Sequence, residues 1–167
     1  MFSARDPSDV DRFFRGLTEH VFYGRLGIVE PPLVDYVATL LVRFIRHDHL
    51  RRLPGHDAQA CDDVTHMLSI VQQEPPDVAR DEYRHIGDYT LFWSGVYPEA
   101  LQRFQHPLRP DSLLDYREAG RQAYRLAAAL EPAEAVETRH VLQLLSEEYD
   151  SCVAALGEVR RAWGEAA

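Results

Sequence analysis

Lysine and asparagine are absent from this chain of 167 residues, so all 18 basic side chains are arginine. Both missing residues use AT-rich codons, which suggests a GC-rich bacterial genome and carries no functional information. Cysteine is nearly absent. Cys61 and Cys152 lie far apart, each at an apolar position of a helical pattern, which excludes a disulfide framework and reads as two reduced core thiols in a reducing, cytoplasmic compartment. Long apolar runs are missing too. The longest, Tyr36 to Ile45, is about half a membrane span and is flanked by Asp35 and interrupted by Arg43. Met1 to Asp11 has neither the cationic start nor the apolar run that export needs. A cationic surplus is lacking as well: the formal net charge of −9 excludes general phosphate-backbone binding, so neither nucleic acid nor a membrane is an expected partner.

The usual carriers of chemistry are also thin. No strand is visible, and so no glycine-rich loop follows one to cradle a phosphate or a dinucleotide. Ser94 before Gly95 lacks the preceding glycine of a nucleophile elbow. Neither cysteine has a recognisable histidine and electropositive setting.

What is present is helical period. The length suits one domain with a genuine core, and the pattern predicts an all-α, single-domain bundle of about six helices. The first runs from a cap at Ser8 along Val10, Phe13, Phe14, Leu17 and Val21 to a stop at Gly24 and Gly27. The second starts at Pro31-Pro32, is apolar at nearly every position to Ile45, and is therefore expected to sit centrally. Its basic end, with Arg46, His47, His49, Arg51 and Arg52 before Pro54-Gly55, complements the negative end of the helix dipole. His47 and His49 diverge by about 200° and cannot chelate one ion together on a helix.

The third helix runs from Asp57 to Val71, and the fourth from Asp77 to Pro98. A turn or short helix around Leu101 and Phe104 separates the fourth from a fifth that begins at a cap at Asp111 and runs to Leu130. The sixth, from Pro132 through Trp163, spaces Leu142, Leu145, Tyr149, Cys152, Leu156, Val159 and Trp163 like a coiled-coil seam that could face a second copy. Within the fourth helix, Tyr83 to Glu99 concentrates aromatics, with Gly87, Thr90 and Ser94 forming a small-residue stripe. Gly120, Ala123 and Ala127 repeat that spacing on the fifth, which predicts a close approach of the two backbones. Asp88 is the expected buried polar lock, facing Arg121 or Arg125.

One constellation suggests catalysis. Glu82 with His85, and Glu137 with His140, form two Glu-x-x-His pairs, the spacing that di-iron or di-manganese carboxylate proteins of the ferritin type use on two helices of a bundle. Composition alone gives roughly 0.6 such pairs in a chain with this usage, and the remaining ligands do not follow. The fifth helix has only Glu118, and the second has no glutamate. The bland reading is a set of solvated three- and four-residue ion pairs with no cofactor.

The runs RHIGDYTLFWSGVYPEAL, DYREAGRQAY and LSEEYDSCVAALGEVR resemble those of a family of conserved bacterial all-helical proteins of similar length with no assigned function. The resemblance covers Leu33 to the C-terminus. It implies a single helical domain and brings no catalytic residues with it. The combined expectation is a non-enzymatic protein acting through self-association or a protein partner, using the aromatic face at Trp93 and Tyr97 or the seam at Leu156 and Trp163. The competing expectations are the di-metal protein and a small-molecule binder lined by Tyr83, Tyr89, Trp93 and Tyr124.

Overall fold

A computed structural model describes residues 7–51 and 63–166. The side chains of His47 and His49, the expected start at Asp57, and Cys61 lie outside the described residues. The chain is all-helical there, and it divides into two compact units, 1–60 with 155–167, and 61–154. No described helix is long and apolar enough to cross a membrane.

In the first unit, α1 (Pro7–Glu19) passes into a π-helical turn (His20–Arg25) and then α2 (Pro31–Arg51). The helical stretch runs through Gly24, which was expected to help end it, and stops just before Gly27. Gly27 takes a φ of 65°, open to glycine at no steric penalty, and the Ile28 N–H turns back to the Phe22 carbonyl at 2.9 Å. Phe14, Val21 and Phe22 are buried, and α1 packs on α2.

Helix α2 departs from the expectation of a fully surrounded core helix. Leu33, Val34, Val37, Ala38, Leu40, Leu41 and Val42 are buried, but Asp35, Thr39 and Arg43 recur every fourth residue on an exposed stripe. Arg15 of α1 reaches that stripe, donating to Asp35 and to Thr39 Oγ1 at 3.0 Å, and to Asp11 on its own helix at 2.9 Å. In the same unit the Trp163 ring meets Phe14 edge-on at 5.1 Å, and Arg25 pairs with Glu158 at 3.0 Å.

The second unit contains α3 (Val64–Val71), α4 (Pro76–Val96), α5 (Pro98–Phe104), a 3-10 turn (Pro110–Leu113), α6 (Tyr116–Leu130), α7 (Val136–Glu147) and the start of α8 (Tyr149–Ala166). The most extensive helix pairing is α4 with α6, followed by α6 with α7. The close approach comes from the glycines. A Cβ on Gly87 would stand 2.6 Å from the Tyr124 ring, and one on Gly120 would stand 2.7 Å from Tyr149 Cε2, with the Thr90 and Tyr149 hydroxyl oxygens nearer still. Each glycine therefore makes room for a side chain rather than for a bare backbone.

The helix count exceeds six for local reasons. The expected sixth helix breaks into α7 and α8 at Glu148, whose φ of −98° and ψ of 23° leave the helical range. The expected fifth helix starts late, because Asp111 is not its cap. Asp115 is, accepting from the Arg117 and Glu118 N–H groups at 3.0 and 3.1 Å.

Candidate functional site

The two Glu-x-x-His pairs are not brought together as a ligand set. His85, Glu137 and His140 are exposed and Glu82 is half-buried, and among the described residues no three His, Cys, Asp or Glu side chains gather where one ion could be held. The reason lies in helix phase. His85 stands two residues before Gly87, which faces Tyr124, and His140 two before the fully buried Leu142. Two residues turn a helix by about 200°, so each histidine points away from the side its helix buries.

The surfaces expected to meet a partner are mostly used inside the chain. Leu142, Leu145, Tyr149, Cys152, Leu156 and Val159 are no more than 1% exposed, so the seam is filled and Leu156 offers nothing to a second copy. Trp163 is half-buried against Phe14. Trp93 and Tyr97 are half-buried in a ring cluster, with Trp93 centred 5.7 Å from Tyr97, 5.2 Å from Phe104 and 6.2 Å from Tyr89. Of the aromatics proposed to line a small-molecule pocket, Tyr89 and Tyr124 are buried and packed on neighbours, while Tyr83 is half-buried.

Three buried polar groups carry the electrostatics of the second unit. Asp88 is 2% exposed and accepts the Tyr124 hydroxyl at 2.8 Å; of the arginines expected to face it, Arg121 pairs with Glu118 and Asp150, and Arg125 is exposed. The Tyr149 hydroxyl donates to Thr90 Oγ1 at 3.0 Å, while Thr90 donates to the Ile86 carbonyl at 2.8 Å. Burial pushes the Tyr149 phenol well above its ordinary range, so it stays a neutral donor. The buried Cys152 thiol is pushed up to about 12 by burial, and so remains a protonated core residue at neutral pH.

The third group, Asp111, does not cap α6 as the sequence pattern predicts. It is 1% exposed and accepts from the Val64 N–H at 3.0 Å and the Thr65 N–H at 2.8 Å, which are the first two residues of α3. The buried Tyr116 hydroxyl donates to the same carboxylate. Burial alone raises the Asp111 pKa, but the hydrogen bonds from Tyr116, Thr65 and Val64 outweigh it and hold the group below its ordinary value. Beside it, Thr65 Oγ1 donates to the Pro110 carbonyl at 3.2 Å and Arg109 pairs with Asp63 at 3.3 Å.

This anchored connection carries the feature that sequence reasoning missed. Leu108 is 90% exposed and Leu113 98% exposed, the two most exposed large apolar side chains among the described residues. Leu113 was hidden by its placement in an apolar helical stripe that starts only at Tyr116. Leu108 did leave a signal, a leucine held between Pro107 and Pro110 with no helical partner.

Comparison of the chain with protein-family models, with curated proteins and with solved structures finds no match.

Proposed function

We propose that this chain is a non-enzymatic bacterial cytoplasmic protein that acts by associating with a second copy of itself through the connection between α5 and α6. The observation that carries the reading is the exposure of Leu108 and Leu113 on a segment otherwise tied down by Asp111 and Arg109. Large apolar side chains held in water are unfavourable until something covers them. The ring cluster of Trp93 and Tyr97 adjoins the same connection, because it packs on Phe104 where the connection begins.

A second copy fits the local charge. Exposed Arg103 and Arg117 stand near exposed Asp115, so a two-fold pair brings both signs to the surface around the connection. Burying four leucines, two from each copy, contributes about 6–12 kcal/mol, and fixing two bodies costs about 4–15 kcal/mol. These are of similar size. Association is therefore weak and concentration-dependent, not permanent.

Light scattering on a sizing column tests the reading. The wild type is expected to gain mass as its loading rises toward about 300 µM, a range that reads dissociation constants between micromolar and millimolar. The variant L108D/L113D is expected to stay monomeric with an unchanged fold, since both side chains are at the surface. Equal association by both proteins would sink the proposal.

A further inference from the structure

We infer that residues 105–115 form a strap that opens and recloses as one unit, together with the first turn of α3, while the α4–α6 pairing stays closed, and that Asp111 is the latch of this strap. The inference concerns the single chain and does not depend on association.

The strap has almost nothing apolar to hold it down. Between the buried Phe104 and the buried Tyr116, Asp111 is the only buried residue; Leu108 and Leu113 are exposed and Leu114 is half-buried. Local stability follows buried apolar contact, so a segment without it opens at a lower free energy than the core around it. What remains is polar. Turns within the strap bond the Ser112 N–H to the Arg109 carbonyl at 3.1 Å and the Leu114 N–H to the Asp111 carbonyl at 3.0 Å, and Gln105 reaches the Leu114 carbonyl. These bonds give the strap a shape of its own without fixing it to anything else.

Its attachment to α3 is threefold and unequal. Thr65 Oγ1 donates to the Pro110 carbonyl, a neutral bond at the surface. Arg109 pairs with Asp63, but both side chains are partly exposed, and such pairs contribute little. Asp111 is the strong tie, because its buried carboxylate accepts from the Val64 and Thr65 N–H groups and from the Tyr116 hydroxyl. Helix α3 depends on the strap in return. It has only eight residues, too few to hold together unaided, and Asp63 at its own capping position makes no capping bond. The start of α3 therefore loses its cap when the strap lifts, and the two move together.

An ionised carboxylate only accepts, whereas an amide of the same size presents one accepting and one donating atom. Asp111→Asn therefore sets a donor against a donor and weakens the latch at nearly constant volume.

Native-state amide exchange in rising, sub-denaturing guanidinium tests the strap on wild type, D111N, Y124F and L108S/L113S. In the wild type the amides of Val64, Thr65, Ser112 and Leu114 are expected to exchange through one common opening with a small denaturant dependence, while the core amides of α4 and α6 exchange only with global unfolding. D111N should raise the strap's opening constant about tenfold to hundredfold, the effect of losing a bond to a charged group. Y124F removes a hydroxyl from inside the pairing and should speed exchange in α4 and α6, yet leave the strap's opening within about twofold, since its open and closed forms carry that loss equally. L108S/L113S should also stay within about twofold, because neither side chain holds the strap down. The wild type and Y124F together decide whether the strap is a separate unit, even if D111N folds poorly. Strap amides that exchange only with global unfolding, or that Y124F accelerates as much as the pairing, overturn the unit. An opening constant unchanged in D111N, or raised as much by L108S/L113S, overturns the latch.

Discussion

The α1–α2 and α4–α6 pairings bring helices together by opposite means. Between α1 and α2 the apolar stripes are covered by an exposed clasp, with Arg15 reaching Asp11, Asp35 and Thr39 at the rim. Between α4 and α6 the polar groups are inside: Asp88 on Tyr124, and Thr90 on Tyr149, with Gly87 and Gly120 opening the space these rings occupy. Water can replace the first kind of polar contact and cannot reach the second. The second pairing should therefore be sensitive to single atoms, and the first tolerant of them.

The largest effect should come from Gly120→Ala, whose new methyl lands on Thr90 and Tyr149 and should destabilise by about 3 kcal/mol, the upper end of overpacking. Its counterpart on α1, Gly16→Ala, meets nothing within 4 Å and should instead stabilise by about 0.5–1 kcal/mol through helix propensity. Opposite signs in chemical denaturation would confirm the contrast, and equal signs would break it.

Next in size is Tyr124→Phe, which removes one hydroxyl and strips a buried carboxylate of a donor. A loss of about 1–3 kcal/mol is expected in the same assay.

Legibility in the sequence follows the same division. Gly87 and Gly120 were readable as a close approach, because glycine inside a helix needs a reason. Asp88 was readable as buried, because it sits among residues that repeat with the core. Its partner was not, since a phenol and an arginine one turn apart on α6 both satisfy a carboxylate. Asp111 was unreadable as the cap of α3, because a cap supplied 47 residues away leaves no local pattern. The break at Glu148 was hidden for a related reason: the apolar spacing of α7 continues in phase into α8 and remains buried on both sides of the interruption. That continuity also made Leu156 look available to a partner.

Asp111 supplies a pH test of buried against exposed polar groups. Its folded-state pKa lies below the ordinary 3.8, so the folded chain releases this proton more readily than the unfolded chain does. The resulting stabilisation is fully present above about pH 4 and is lost as pH falls through the folded value. In denaturation midpoints measured from pH 7 to pH 3, the gap between wild type and D111N should be widest near neutrality and narrow in acid. A gap that widens in acid would reverse the assignment.

The smallest effect belongs to Arg15→Ala. With its side chain 35% exposed, it should lose no more than about 1 kcal/mol, and the loss should shrink further in high salt. A loss as large as that of Tyr124→Phe would erase the distinction between the two pairings.

On the proposed reading, the buried polar groups serve the fold and the exposed leucines of the α5–α6 connection serve association. Backbone amide shifts followed through a dilution series test that division most directly. Concentration-dependent shifts are predicted for Arg103 to Arg117, centred on Leu108 and Leu113, with the amides around Thr90 and Tyr149 unmoved. Shifts centred on α8 near Leu156, or none at any concentration, would contradict it.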